Sequence, residues 1–384
     1  MAGDTGDAVR RRAHLPRARG WITSTDAPST AGPAPDDVAA LARWRWRKRA
    51  ILVAAVLVTV ALAWLGVVHG VTDISSRRLL ATVLPGGGSL GRPLDWLEWS
   101  ALIDLRLPRI ALAVVAGAGL AWCGCGMQII TGNPMASPFT TGISHAAAFG
   151  AALSILGAFT IGGSATAATI ASAFVMACLC SLLVVGIASA ARLGPTAIVL
   201  SGIAISYLFA ALSAGMQYVA DERALSAIVS WTFGDLGRGD WNRIGVITVV
   251  VALAGVHTLA NARRFQRLAA GDEAAIALGV PVRRLRLETG FVVTGVAATI
   301  ISVTGVIGFV GLVAPHIAGM LVGADERYRL PLAGIVGAAV VLGADLAGRL
   351  VLSPVIVPVG IVVSLVGVPM FLWLILREGR WARR

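Results

Sequence analysis

The chain has 384 residues, of which 57% are hydrophobic and only 14% charged. A soluble globular protein is about half apolar and about a quarter charged, so this is an integral membrane protein, and a soluble enzyme is excluded. The net charge of +12 would suit nucleic acid, but no basic module with interleaved aromatics is present, and membrane proteins gather Lys and Arg in cytoplasmic loops.

Residues 1–42 are rich in Ala, Pro, Asp and Arg and lack a sustained apolar period. They are expected to form a disordered cytoplasmic tail, and no short apolar core with a cleavage site marks them as a signal peptide. The basic cluster Arg43 to Arg49 then marks the cytoplasmic foot of a first crossing at about 51–70, with Trp44 and Trp46 at the interface. Residues 71–105, including Pro85-Gly-Gly-Gly88, read as an external segment. A second span opens at Pro108, well suited to a first helical turn, and runs to Thr131. Asn133 to Pro138 interrupts the apolar pattern without adding charge, which is tolerated at depth only inside protein or beside a cavity.

Further spans are predicted at 140–158, 164–190, 195–219 and 242–261. A basic stretch at 262–288 holds Arg263, Arg264, Arg267, Arg283, Arg284 and Arg286. The last spans are 289–308, a short one at 312–323, 330–348 and 359–377. Ten crossings put both termini on the cytoplasmic side of the cell membrane. They leave eighteen Lys and Arg residues inside against nine outside, the asymmetry that orients such proteins.

Lys48 is the single lysine and has no glycine near it. A phosphate-binding loop needs a lysine after a Gly-rich turn, so this chain is not itself a P-loop ATPase. Cys123/Cys125 and Cys178/Cys180 lie two apart in apolar helical runs, where their side chains face opposite ways. They read as small buried hydrophobes. No carboxylate and histidine set has metal-ligand spacing, so neither a metal nor a cofactor is expected on this chain.

Four patches carry an identification. The first is Arg106-Leu-Pro-Arg109 with Gly117 to Ala121, Gly126-Met-Gln128 and Asn133 to Pro138. The second is Asp272 to Pro281 and the third Gly305 to His316. The fourth is Gly343-Ala-Asp345, Arg349, Pro358-Val-Gly360 and Gly367 to Phe371. Together, over about 50–378, they resemble the FecCD family of permeases, the membrane subunits of type II ABC importers for iron–siderophore complexes, haem and vitamin B12. Met135 stands where Leu is usual, Ala146 and Ala148 replace glycines, His145 occupies a frequent Asn position, and Gly319 replaces a common basic residue.

The resemblance implies an all-α membrane fold of ten helices with an inverted repeat, occupying 43–384. A second permease would pair with it, an ATPase dimer carrying ATP–Mg would dock on the cytoplasmic face, and an extracytoplasmic binding protein would deliver the substrate. Two breaks are expected, at Asn133-Pro134 and Pro315-His316, each between a long Gly-rich span and a short one. Residues 272–286 resemble the cytoplasmic element that grips the ATPase, with Glu273, Ala274, Ala275, Gly279, Val280 and Pro281 as its motif. A short stiff helix with small residues and a turning glycine suits that task.

Arg106, Arg109 and Arg349 fall on the predicted outer side, where the family's arginines meet acidic residues of the binding protein. Their planar donor forks suit such pairing. Snorkelling of Arg106 and Arg109, or pairing of Arg349 with Asp345 four residues earlier, are the competing readings. Gln128, Asn133 and Asp345 are polar groups that either line the pathway or tie helices together. The expected cargo is a ferric siderophore, with haem or cobalamin as alternatives. A gradient-driven carrier would have Asp345 as its one strong internal carboxylate, and an intramembrane enzyme would need a nucleophile and base that are not gathered here.

Overall fold

Apolar segments in lipid must satisfy their own backbone, and helices do this segment by segment. The structure, a computed structural model, describes residues 35–70, 74–84, 92–190 and 195–381. The expectations for residues 1–34, for Pro85-Gly-Gly-Gly88 and for the turn at Arg192 lie outside the described residues. The chain divides into two units, 1–46 and 47–384, and the second carries the core.

The helices in order are α1 (Pro35–Val68), α2 (Ser76–Val83), α3 (Trp96–Ser100), α4 (Leu107–Thr131), α5 (Ile143–Leu156), α6 (Ala165–Ala190), α7 (Pro195–Val219) and α8 (Glu222–Thr232). Then come α9 (Trp241–Ala260), α10 (Ala262–Leu268), α11 (Asp272–Ala277), α12 (Val282–Thr304), α13 (Val310–Val322), α14 (Glu326–Leu350) and α15 (Val359–Trp381). Among the described residues seven helical stretches are long and apolar enough to cross a membrane, and three shorter apolar helices accompany them. A helix occupies most of every predicted span, although that of the span predicted at 289–308 stops at Thr304.

Boundaries differ from expectation in four places. Residues 35–42, assigned to the disordered tail, are the first turns of α1. Pro35 followed by Asp36 and Asp37 is a favourable helix start, and Ala and Leu continue it. The external segment contains α2 and α3, and a π-helical stretch at Ala101–Arg106 joins α3 directly to α4. The basic stretch is not a loop but α10, α11 and the first two turns of α12. The second break lies not at Pro315-His316 but at 305–309, with left-handed φ at Gly305 (74°) and Phe309 (62°). Pro315 sits inside α13. Its missing N–H leaves the Gly311 carbonyl free, and that carbonyl lies against Gly124 of α4, so the helix continues past the proline.

The Trp96–Thr131 stretch is the axis of the second unit: 72% of its most apolar window is buried, against 6% for α1. Glycine permits this. A Cβ at Gly117 would strike the backbone of Gly337 on α14, and one at Gly124 the backbone of Gly311 on α13. Small residues of this kind let membrane helices approach closely. Trp122 of α4 donates from Nε1 to the Leu330 carbonyl at 3.0 Å, pinning α4 to α14. Cys123, Cys125 and Cys180 are buried, with Cys178 half-buried.

Contacts define two ends of the bundle. At the distal end α1 finishes beside the start of α4 and the close of α14. At the proximal end Lys48 of α1 meets Asp325, the N-cap of α14. α4 therefore runs distal to proximal. α12 runs the other way, since its Thr304 carbonyl accepts from Asp235 N at the distal end. The α4–α5 break is proximal and the α12–α13 break distal, the arrangement an inverted repeat requires.

Candidate functional site

Distal arginines come first. Arg106 donates from Nη1 to the Val67 carbonyl at 2.6 Å and the Val68 carbonyl at 3.3 Å. Arg349 donates from Nη1 to the carbonyls of Gly66 and His69 at 3.1 and 3.0 Å. The last four carbonyls of a helix lack intrahelical donors, and for α1 these two arginines supply donors to those of Gly66, Val67 and Val68. Arg109 donates from Nε to Asp345 Oδ1 at 2.6 Å and lies 3.5 Å from Asp235. Arg349 Nε is 3.0 Å from the other Asp345 oxygen, at an angle too poor for a hydrogen bond. Asp345 is 1% exposed.

The expectation of a docking surface made by Arg106, Arg109 and Arg349 therefore meets two buried side chains, Arg106 and Arg349, and one, Arg109, that is 12% exposed. Their donors face α1 and Asp345, and of the readings open for Arg349 the pair with Asp345 is the one formed. Asp345 is enclosed by these arginines. Asp235 of the loop after α8, which no sequence signal marked, completes the cluster.

At the proximal end α11 is a short amphipathic turn. Ala275 is buried, while Glu273, Ala274, Ile276, Leu278, Gly279 and Pro281 are exposed. Its end is built by hydrogen bonds: Gly279 N donates to the Ile276 carbonyl and Val280 N to the Ala275 carbonyl, each at 2.9 Å. This paired closure needs a left-handed residue, and Gly279 has φ 76°. Val280 folds back onto the same apolar cluster as Ala275. The motif is thus a rigid knob whose outward side carries two large apolar residues, Ile276 and Leu278, without cover. Sequence reasoning passed over both, although their exposure beside arginines was the available signal.

The α4–α5 break forms a third feature. Gly132 ends α4 with φ 60°, and Asn133 Oδ1 accepts from Met135 N at 2.9 Å. Pro138–Thr141 then forms a single 3-10 turn before α5. Asn133, Met135, Ala136 and Thr140 join His145 of α5 and Ile203, Ser206, Tyr207 and Ala210 of α7 around a cleft of about 530 Å³. Its walls are mostly apolar with few polar groups, the usual make-up of a small-molecule site. Gln128, the other polar residue of this region, does not reach the cleft. It is buried and accepts from Arg329 Nη2 at 2.9 Å, while Arg329 Nη1 holds Glu326 at 2.6 Å.

Known proteins resemble this chain in sequence and fold. The hemin transport system permease protein of Yersinia pestis is 36% identical over 73% of this chain and 84% of its own length. The Fe(3+)-citrate import system permease protein of Bacillus subtilis is 36% identical over 72% of this chain and 81% of its own. A solved structure described as an inward-facing ABC transporter of the metal-chelate type superposes with a TM-score of 0.75 at 29% identity, covering 86% of this chain and 99% of that one. Residues 52–377 match the FecCD transport family, so the chain belongs to that family, as the permease subunit of a type II ABC importer whose ATP is hydrolysed by a separate subunit.

Proposed function

We propose that this permease imports a metal chelate, and specifically a ferric siderophore handed over by an extracytoplasmic binding protein. The observation that supports this most is the cleft at the α4–α5 break: about 530 Å³, mostly apolar, with single polar groups from Asn133, His145, Ser206 and Tyr207. Such a lining suits a bulky cargo held by few contacts rather than a bare ion, which asks for a dense oxygen or nitrogen shell. Relatives named for hemin and Fe(3+)-citrate support the same class of cargo.

Under this reading the proximal end is cytoplasmic. Arg47, Lys48 and Arg49 enter there, and Arg263, Arg264, Arg267, Arg283 and Arg284 surround α11, in keeping with the charge rule for inside loops. Glu273, Ala274, Ala275, Gly279, Val280 and Pro281 form the ATPase-coupling knob, and a partner's cleft covers Ile276 and Leu278. The binding protein docks on the distal end, where Arg106, Arg109 and Arg349 shape the surface from beneath rather than touch the partner.

Haem is the second reading, because His145 and Tyr207 both line the cleft and both residue types ligate haem iron. The test is uptake by proteoliposomes containing this permease, its partner permease, its ATPase and its binding protein. ATP-dependent entry of iron from a ferric hydroxamate, exceeding that of haem or cobalamin, is the expected result. Preferential entry of haem or cobalamin overturns the siderophore assignment.

A further inference from the structure

The last turn of α4 leads directly into the break that lines the cleft. In that turn the Gln128 and Ile129 carbonyls accept from Gly132 N and Asn133 N. The Ile130 carbonyl accepts instead from Arg286 Nε at 2.9 Å. The same guanidinium grips Asp272, the first residue of α11, with Nη1 and Nη2 at 2.7 and 2.8 Å. One planar group therefore holds the coupling knob and the end of α4 at once. A lysine ammonium, a single point of charge, cannot span both directions.

The two sides of this turn are tethered differently. Arg329 holds Gln128 from one side and is locked by Glu326, whose side chain is 2% exposed. Arg286 holds the other side, with its own side chain 27% exposed and that of Asp272 49% exposed. A buried pair is costly to break and makes a fixed anchor, whereas an ion pair open to water can be broken and remade at small cost. The last turn of α4 thus has one fixed tether and one adjustable one, and the adjustable one leads to α11.

Resting on the reading that α11 meets the ATPase, we propose that Arg286 is the positioning residue that ties movement of α11 to the α4–α5 break. When α11 shifts, Asp272 moves the guanidinium, and its Nε carries the Ile130 carbonyl and the start of the break with it.

The experiment uses the assembled transporter, ATPase included, in lipid nanodiscs, with Met135→Cys in the break as a reporter. Its labelling by a maleimide is compared without nucleotide and after trapping with ATP and vanadate. The reporter alone is expected to change its labelling rate on trapping. Adding Arg286→Lys should shrink that change about tenfold, the scale of one lost charge-assisted contact. The ATPase should stay bound and hydrolyse ATP within about twofold of its starting rate, as expected when only a partly exposed pair is altered. Exchanging the pair, as Asp272→Arg with Arg286→Asp, should not rescue the response, because a carboxylate at 286 has no donor for the Ile130 carbonyl. Rescue by the exchange would make the pair merely structural and overturn the relay. So would a full response in Arg286→Lys, a reporter that never responds, or loss of the ATPase from the Arg286→Lys complex. Gly279→Trp separates the premise: if it keeps both ATPase binding and the labelling response, α11 is not the coupling element, whatever Arg286 does.

Discussion

Both ends of this bundle are held by arginines, but the two sets work under opposite conditions. At the distal end Asp345 is 1% exposed and shared by Arg109 and Arg349, while Arg349 and Arg106 cap the last carbonyls of α1. At the proximal end Arg286 and Asp272, and Arg284 and Glu288, pair in the open. A buried charge that loses its partner is expensive, whereas an exposed pair is screened by water and contributes little. The distal cluster is therefore a permanent joint among α1, α4 and α14, and these two exposed proximal pairs, unlike the buried Arg329–Glu326 pair beside them, are contacts that a working cycle can change.

The largest effect should come from opening the permanent joint. Asp345→Ala leaves two buried guanidinium groups facing each other without their carboxylate, and the expected loss is about 3–5 kcal/mol. A sharp fall in unfolding temperature in detergent, together with a low yield of folded protein, is the expected measurement. An unchanged melting curve would mean that water reaches the cluster, and the contrast between the two ends would disappear.

Gly279→Ala tests the proximal knob and should cost less. Nothing lies within 4 Å of a Cβ built there, so the penalty is conformational only. A left-handed residue with a side chain costs about 1–2 kcal/mol. That strain falls on the closure of α11 and not on the membrane core. Thermal stability should therefore move little, while ATP hydrolysed per substrate imported should rise. A large stability loss with normal transport would reverse the roles assigned to this turn.

These contrasts explain what the sequence reveals and what it conceals. The spans were legible because most are apolar runs near the ~20 residues that a bilayer requires, bounded by arginine or by Pro and Gly. The Asn133 break was legible because Asn and Pro interrupt an otherwise apolar pattern. Pro315 misled, because a proline reads as a stop, and only the crossing of Gly124 over Gly311 gives its free carbonyl a place to lie. The closure of α11 followed from Gly279 within a local stretch, so the pattern sufficed. Arginine partners were hidden for the opposite reason. Arg349 bonds carbonyls 283 and 280 residues away, and Arg286 one that is 156 residues away. A carbonyl leaves no mark in a sequence, so an arginine bound for one looks the same as an arginine bound for a partner protein.

The smallest effect tests the comparison most finely. Arg284 and Glu288 sit four residues apart on α12, with side chains 79% and 40% exposed. The basic residue precedes the acidic one, the less favourable order along a helix. Arg284→Gln should therefore leave the stability of the isolated permease almost unchanged. The informative measurement is the same substitution in the complex with its ATPase. If the proximal face is where the ATPase docks, Arg284 loses its water there and the pair gains strength as the local dielectric falls. The substitution should then weaken ATPase binding more than it weakens the fold, and added salt should shrink the difference. Equal, small effects in both states would mean that this face stays wet, and that the docking surface lies closer to Ile276 and Leu278 than to the first turn of α12.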